Sequence, residues 1–280
     1  MIEDLRGRVD YDECGQGPTI VFLPGSCSTG AAWRPVIAAL NGRFRCVTTS
    51  LLGYGGTQER RSASDPSMAH ELDVAELVIR KAGGPVHLVG HSFGGLVALA
   101  VALRHRVPLA SLAVLEAPLV ELLGGNGEHL HYAAFRRMTD GYFADFAGGN
   151  AAAIGTMIDF YGGDGTFAAW PPRVRAYAME TTAVNIRDWQ SIYRFPLATA
   201  ALAAVEIPTL VAWGGASHPA VRRANALLGE SLPRAVVAPL DGAAHFMIST
   251  HAEQVGHLIA AHIGAADAAG PSETPMRAAS

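Results

Sequence analysis

Short apolar runs alternate along this chain with stretches whose apolar residues recur at helical spacing. Thr19-Ile-Val-Phe-Leu23 ends at Pro24-Gly25 and predicts a buried strand. Arg45-Cys-Val-Thr-Thr49 predicts a second, closed by the glycine-rich stretch from Gly53 to Gly56. Val86–Val89, Leu112–Leu115, Thr209–Trp213 and Ala235–Ala238 predict four more. Several of these runs lack polar alternation, as expected of a parallel sheet covered by helices on both faces. Between them, Trp33, Val36, Ile37 and Leu40 recur at helical spacing, as do Leu72, Ala75, Val78 and Ile79. Gly94 to His105 predicts a small-residue helix suited to close packing on a sheet, and Val255, Leu258 and Ile259 mark a C-terminal helix. The pattern predicts an α/β protein with a doubly wound, mostly parallel sheet.

One region breaks the alternation. Residues 119–204 contain no convincing strand and are rich in aromatics, among them Phe135, Tyr142, Phe160, Tyr161, Trp170 and Trp189. They are expected to form a helical insertion, most of the aromatics being its core and a few lining a pocket. The expected division is a core of residues 1–118 and 205–264, an inserted helical lid at 119–204, and a small, polar, disordered tail at 265–280.

Composition narrows the function classes. Half of the 280 residues are hydrophobic and only 16% are charged, so a sizeable core is affordable. The net charge of −4 and pI near 6.2 leave no basic excess to neutralise phosphates, which argues against nucleic-acid binding. Cys14, Cys27 and Cys46 have no metal-ligand spacing, and their odd number argues against a disulfide framework. The longest apolar run, Leu96 to Leu103, is far short of the ~20 residues that span a bilayer. The N-terminal residues are acidic and carry no targeting pattern. The expectation is a cytoplasmic protein without membrane attachment; the oligomeric state is open.

The candidate chemistry begins at Gly90-His91-Ser92-Phe93-Gly94, a G-x-S-x-G match. The pattern alone is weak. Its position, directly after a predicted strand and before a predicted helix, is the setting of a nucleophile elbow. Glycines at 90 and 94 let strand and helix approach, and Ser92 then projects at the helix N-terminus, where negative charge is favoured.

With these residues the chain resembles the α/β-hydrolase superfamily over roughly residues 8–263. Val9-Asp-Tyr11 followed by Gly15-Gln-Gly-Pro-Thr-Ile-Val-Phe-Leu-Pro-Gly25 resembles the family's opening hairpin and first core strand. Leu52-Gly-Tyr-Gly-Gly56 resembles the loop after the next strand, and Ile207-Pro-Thr-Leu-Val-Ala-Trp-Gly214 the strand after the lid. The resemblance implies an α/β-hydrolase fold and a base for the serine. His245, in Leu240-Asp-Gly-Ala-Ala-His-Phe246, is similar to the family's late histidine, with alanine replacing one glycine of its loop. His91 is expected to pack or hydrogen-bond beside the serine. His251, His257 and His262 are expected to be solvated.

The triad acid departs from the commoner pattern. Ser217 stands where the family usually places Asp, and no carboxylate lies between Ile207 and Arg222. The family's second location, after the strand that follows the nucleophile helix, holds Glu116, which is therefore the expected acid; Asp241 is a weaker rival. The expected oxyanion donors are the backbone N–H groups of Phe93 and Ser26, in a loop that reads Pro24-Gly25-Ser26-Cys27 in place of the family's usual His-Gly opening. Cys27 is expected to pack as a small hydrophobe.

The resemblance implies a serine hydrolase of carboxylic esters, with thioesters and lactones included, acting on small-to-medium apolar substrates without metal or cofactor. Three alternatives stay open: the same triad used for C–C bond hydrolysis, lyase or cofactor-free peroxidase chemistry; a non-catalytic hydrolase-like receptor; and a nucleotide-binding α/β domain. The last lacks a G-x-G-x-x-G after the first core strand.

Overall fold

Among the described residues, 1–4 and 6–269 of the computed structural model, the chain forms a two-stranded hairpin and a seven-stranded sheet. Strands β1 (Ile2–Asp4) and β2 (Gly7–Val9) pair antiparallel as the hairpin. The large sheet contains β3 (Asp12–Cys14), β4 (Thr19–Leu23), β5 (Arg45–Thr48), β6 (Val86–His91), β7 (Leu109–Leu115), β8 (Thr209–Gly214) and β9 (Ala235–Leu240). Their order is β3-β5-β4-β6-β7-β8-β9. Only β3 runs antiparallel to its neighbour. A 3₁₀ turn at Gly30–Trp33 leads into α1 (Arg34–Ala39), which joins β4 to β5; α2 (Ala69–Ala82) joins β5 to β6 and α3 (Phe93–Arg104) joins β6 to β7. Seven helices lie between β7 and β8: α4 (Val120–Gly125), α5 (His129–Ala147), α6 (Ile154–Gly162), α7 (Thr166–Ala169), α8 (Pro172–Glu180), α9 (Thr182–Arg194) and α10 (Thr199–Leu202). Helix α11 (Pro219–Ser231) joins β8 to β9, and α12 (Met247–Thr250) and α13 (Ala252–Ala269) follow β9.

The strands read as continuous apolar runs because each face of the sheet has its own core. Val21 and Leu23 of β4, Leu88 of β6, and Leu112 and Val114 of β7 pack under α2, α3 and α11. The alternate positions Ile20, Phe22, Val89, Ala113 and Leu115 pack under α1, α12 and α13. Successive strand side chains point to opposite faces, so both sets must be apolar.

Four features depart from the sequence expectation. Strand β3 is short, polar and exposed, so it carries no hydrophobic signature. Strand β9 is the other edge of the sheet, and its Val236 and Val237 are 59% and 46% exposed although the run reads as buried. Helix α13 continues to Ala269, so residues 265–269 are helical where a disordered tail was expected; residues 270–280 lie outside the described residues. His262 on that helix is buried, because it falls on the face shared with Val255, Ile259 and Ile263. No helix among the described residues is long and apolar enough to cross a membrane.

The topology positions the candidate chemistry. Strand β4 pairs with β5 on one side and β6 on the other, so the chain winds away from it in both directions. A crevice opens beyond the carboxyl ends of strands at such a switch point. Pro24–Ser26 and Ser92 leave β4 and β6 at that crevice.

Close approach at the crevice rests on two glycines. A Cβ on Gly94 would lie 2.3 Å from the Pro24 carbonyl oxygen, and one on Gly90 would lie 2.2 Å from the Gly94 carbonyl oxygen. Both obstacles are backbone and cannot turn aside. Gly94→Ala is therefore expected to cost roughly 3 kcal/mol, the upper end of ordinary overpacking, read as a lowered urea midpoint. An unchanged midpoint would mean that α3 does not lie this close to β4.

Candidate active site

Ser92 occupies the turn between β6 and α3 with φ 54° and ψ −126°. Its N–H donates to the Leu115 carbonyl at 2.9 Å, and its own carbonyl accepts from Gly95 at 2.8 Å. These bonds fix a left-handed conformation that a non-glycine residue rarely adopts. They also leave the side chain half-buried at the head of a twelve-residue helix.

Parallel register brings the next groups to the same edge. His91 of β6 lies opposite Leu115 of β7, so Ser92 and Glu116 follow at neighbouring strand ends. Glu116 also has a positive φ, 49°, and its N–H donates to the Ala212 carbonyl at 2.7 Å. The buried Asn225 of α11 secures the following residue: its Oδ1 accepts from the Ala117 N–H at 3.0 Å and its Nδ2 donates to the Ala117 carbonyl at 3.1 Å.

The Glu116 side chain is fully buried. Its Oε2 accepts from the Gly214 N–H at 2.6 Å, and the Ser217 hydroxyl donates to the pair of oxygens at 2.8 and 2.9 Å. His245 Nδ1 lies 2.9 Å from Oε1, and His245 Nε2 lies 2.9 Å from Ser92 Oγ. A carboxylate only accepts, so Nδ1 carries the proton and the Nε2 lone pair faces the serine hydroxyl. The structure thus brings together Ser92, His245 and Glu116. Ser217 joins them as a donor to Glu116, and Asp241 is exposed on the loop before His245.

Neighbouring groups hold the imidazole in place. The His91 Nε2–H donates to the His245 carbonyl at 2.8 Å. Burial, reinforced by the nearby His245, pushes the His91 imidazolium down to about 3, so His91 is a neutral donor at physiological pH. The Tyr161 ring of α6 lies 4.1 Å from that of His245.

Ser26, Cys27, Ser92, Phe93 and His245 share a cavity of about 40 Å³ with residues of the helical segment between β7 and β8 that include Ile158, Tyr161, Asn185 and Trp189. That is room for one or two waters. Phe93 is buried directly behind Ser92, and Gly25 packs against it: a Cβ on Gly25 would lie 3.0 Å from Ser92 Cβ. Cys27 is half-buried at φ 55°, and burial pushes its thiol up to about 12, which keeps it protonated. A larger hollow of about 530 Å³, between the start of α2, the end of α3 and Arg194–Pro196, contains none of these groups. Among the described residues, no group of three or more His, Cys, Asp or Glu side chains could hold a metal ion.

Beside this cavity lies a buried charge cluster that the sequence reading missed. Arg61 donates to Asp188 at 2.7 Å and to Glu59 at 2.9 Å, and its guanidinium lies 3.3 Å from Glu71. Arg61, Glu71 and Asp188 have no exposed side-chain surface. Burial pushes the Glu71 carboxyl up to about 8 despite Arg61, so it keeps its proton at neutral pH. The available signals were Asp188, an acid on the apolar face of α9 beside Trp189 and Ile192, and Glu71, which shares a helix face with Val74, Ala75 and Val78 of α2.

Comparison with known proteins places this geometry in context. A family model described as "Alpha/beta hydrolase family" matches residues 20–257. A polyketide synthase, ThaQ from Burkholderia thailandensis, is 28% identical over 95% of this chain and 13% of its own length. A pimeloyl-[acyl-carrier protein] methyl ester esterase from Aeromonas hydrophila is 37% identical over 37% of this chain and 39% of its own. The chain spans between 6% and 42% of the length of four curated relatives that it matches. A thermophilic esterase from Thermogutta terrifontis superposes with a TM-score of 0.69 at 21% identity, covering 92% of this chain and 93% of that one. At that identity the likeness speaks to the fold.

The charge cluster gives stability a defined pH dependence. In the unfolded chain Glu71 ionises near its ordinary value of 4.5, whereas in the fold it holds its proton to about 8. Between those values the folded state binds the extra proton. The contribution is therefore complete below about 4.5 and is lost as pH rises toward 8. Glu71→Gln mimics the protonated acid and should remove this slope. The melting temperature of the variant relative to the wild type is expected to rise steadily from pH 5 to pH 8; parallel profiles would contradict a protonated Glu71.

Proposed function

Because the chain belongs to the alpha/beta hydrolase family, we propose that it is a serine hydrolase of carboxylic esters, with thioesters and lactones as related substrates, working through an acyl-enzyme. The observation that carries the reading is the unbroken chain of contacts from Ser92 Oγ through His245 to Glu116, each at 2.9 Å. Ser92 Oγ attacks the acyl carbon while His245 Nε2 takes its proton. Glu116 keeps Nδ1 protonated and stabilises the imidazolium that forms. The N–H groups of Phe93 and Ser26 receive the oxyanion. The tetrahedral adduct collapses as His245 returns the proton to the leaving oxygen or sulfur. Water, activated by the same imidazole, then releases the acid.

The cavity lining supports a small, mainly apolar acyl group. Met157, Ile158, Trp189 and Ile192 supply apolar surface, and Tyr161, whose buried hydroxyl has no hydrogen-bond partner within the protein, adds a polar point. The pimeloyl-[acyl-carrier protein] methyl ester esterase among its relatives favours esters over the other reactions a Ser-His-acid triad can run.

Ser92→Ala is expected to fold normally and to lower ester turnover by about 10³-fold or more. Near-normal turnover in a pure sample would remove Ser92 from its role. Glu116→Gln keeps the shape but loses the charge, and should lower kcat by about 10²–10⁴-fold with little change in KM. Ser217→Ala removes one donor to that carboxylate and should cost only about 10-fold. If Ser217→Ala proves the more damaging change, Glu116 is not the triad acid.

A further inference from the structure

The loop that carries Ser26 is fastened to the lid. Ser26 Oγ donates to Asp188 Oδ2 at 2.5 Å, and the Tyr54 hydroxyl donates to the same oxygen at 2.6 Å. Arg61 donates to Asp188 Oδ1 at 2.7 Å. Ser26 belongs to the loop after β4, Tyr54 and Arg61 to the long connection after β5, and Asp188 to the lid helix α9. Two segments distant in sequence thus converge on the carboxylate of a third, which has no exposed surface.

Stability alone is a poor reason for such a cluster. Taking an aspartate and an arginine out of water is costly, and apolar side chains of similar volume often serve stability as well or better. A buried carboxylate does provide fixed geometry, since its two oxygens aim at several donors at once. Here one of those donors adjoins the nucleophile. Ser26 directly follows Gly25, which packs on Ser92, and it is followed by Cys27 in the left-handed region at φ 55°. A loop with that backbone needs an anchor to keep an amide aimed to within a fraction of an ångström.

We propose that Asp188 is a positioning residue for the oxyanion hole. Its carboxylate, fixed by Arg61 and Tyr54, holds the Ser26 hydroxyl and thereby aims the Ser26 backbone N–H at the developing oxyanion. The hole is then complete only while α9 is docked, which ties closure of the lid over the substrate to assembly of the second donor. This inference rests on the serine-hydrolase reading above.

The test centres on Ser26→Ala, which removes the hydroxyl and leaves the amide and the charge cluster in place. Loss of an entire oxyanion donor costs about 10²–10³-fold in kcat, so a donor that is merely loosened should cost about 10-fold. KM should stay within about twofold, because the amide acts on the transition state. Binding of an alkyl trifluoromethyl ketone, whose serine adduct carries the oxyanion, should weaken by the same factor as kcat. Ser26→Thr, which restores a hydroxyl, should recover most of the loss. Asp188→Asn should reproduce the defect, and the Asp188→Asn/Ser26→Ala double variant should be no slower than Asp188→Asn alone, since both changes break one link. If Asp188→Asn fails to fold because the buried cluster loses one of its charges, the two Ser26 variants decide the matter. Wild-type kcat and ketone affinity in Ser26→Ala would overturn the inference and leave the hydrolase reading standing. Undiminished turnover in Ser92→Ala would overturn the hydrolase reading, and this inference with it.

Discussion

A carboxylate buried without water must be satisfied by the protein, and at Glu116 that requirement organises the candidate site. Its oxygens take the Gly214 N–H, the Ser217 hydroxyl and the His245 imidazole. Each donor comes from a different place: the end of β8, the loop after it, and the loop after β9. A hydrogen bond to a charged group contributes about 1.5–3 kcal/mol, so each donor matters. The carboxylate therefore pins the end of β8 and the loops after β8 and β9 at one edge of the sheet, and pinning the last of them sets the imidazole facing Ser92.

The sheet makes this convergence possible. Strands β6, β7 and β8 are adjacent and parallel, so their carboxyl ends deliver Ser92, Glu116 and Gly214 side by side. Both Ser92 and Glu116 sit at positive φ, which bends the chain sharply as it leaves each strand. The strain is held by backbone bonds to the neighbouring strands, Ser92 to Leu115 and Glu116 to Ala212. Helix α9 is held by another buried carboxylate, Asp188, which reaches the other side of the same cavity through Ser26.

What the sequence revealed follows from the range of the interactions involved. The parallel core was legible because two-sided burial forces unbroken apolar runs such as Thr19–Leu23 and Leu112–Leu115. Ser92 was legible because its neighbours must be small, a local demand that Gly90 and Gly94 record. Glu116 drew attention as an acid ending a buried strand, combined with a serine where an acid was expected. The polar edge strand β3, the exposed β9 and the helical residues 265–269 were not legible, since edges and helix ends are set by what lies beside them. The cluster of Arg61, Glu71 and Asp188 was hidden for a stronger reason. Its members lie up to 127 residues apart, and nothing local in the sequence says that they meet.

The account stands most directly on one chemical property, a Ser92 hydroxyl made nucleophilic by His245 and Glu116. Treatment of the pure protein with an alkyl fluorophosphonate, followed by intact-mass measurement and peptide mapping, reads that property without knowledge of the natural substrate. The expected result is a single phosphonyl adduct per chain, carried on Ser92. An unmodified protein, or an adduct on another residue with Ser92 free, would contradict the account.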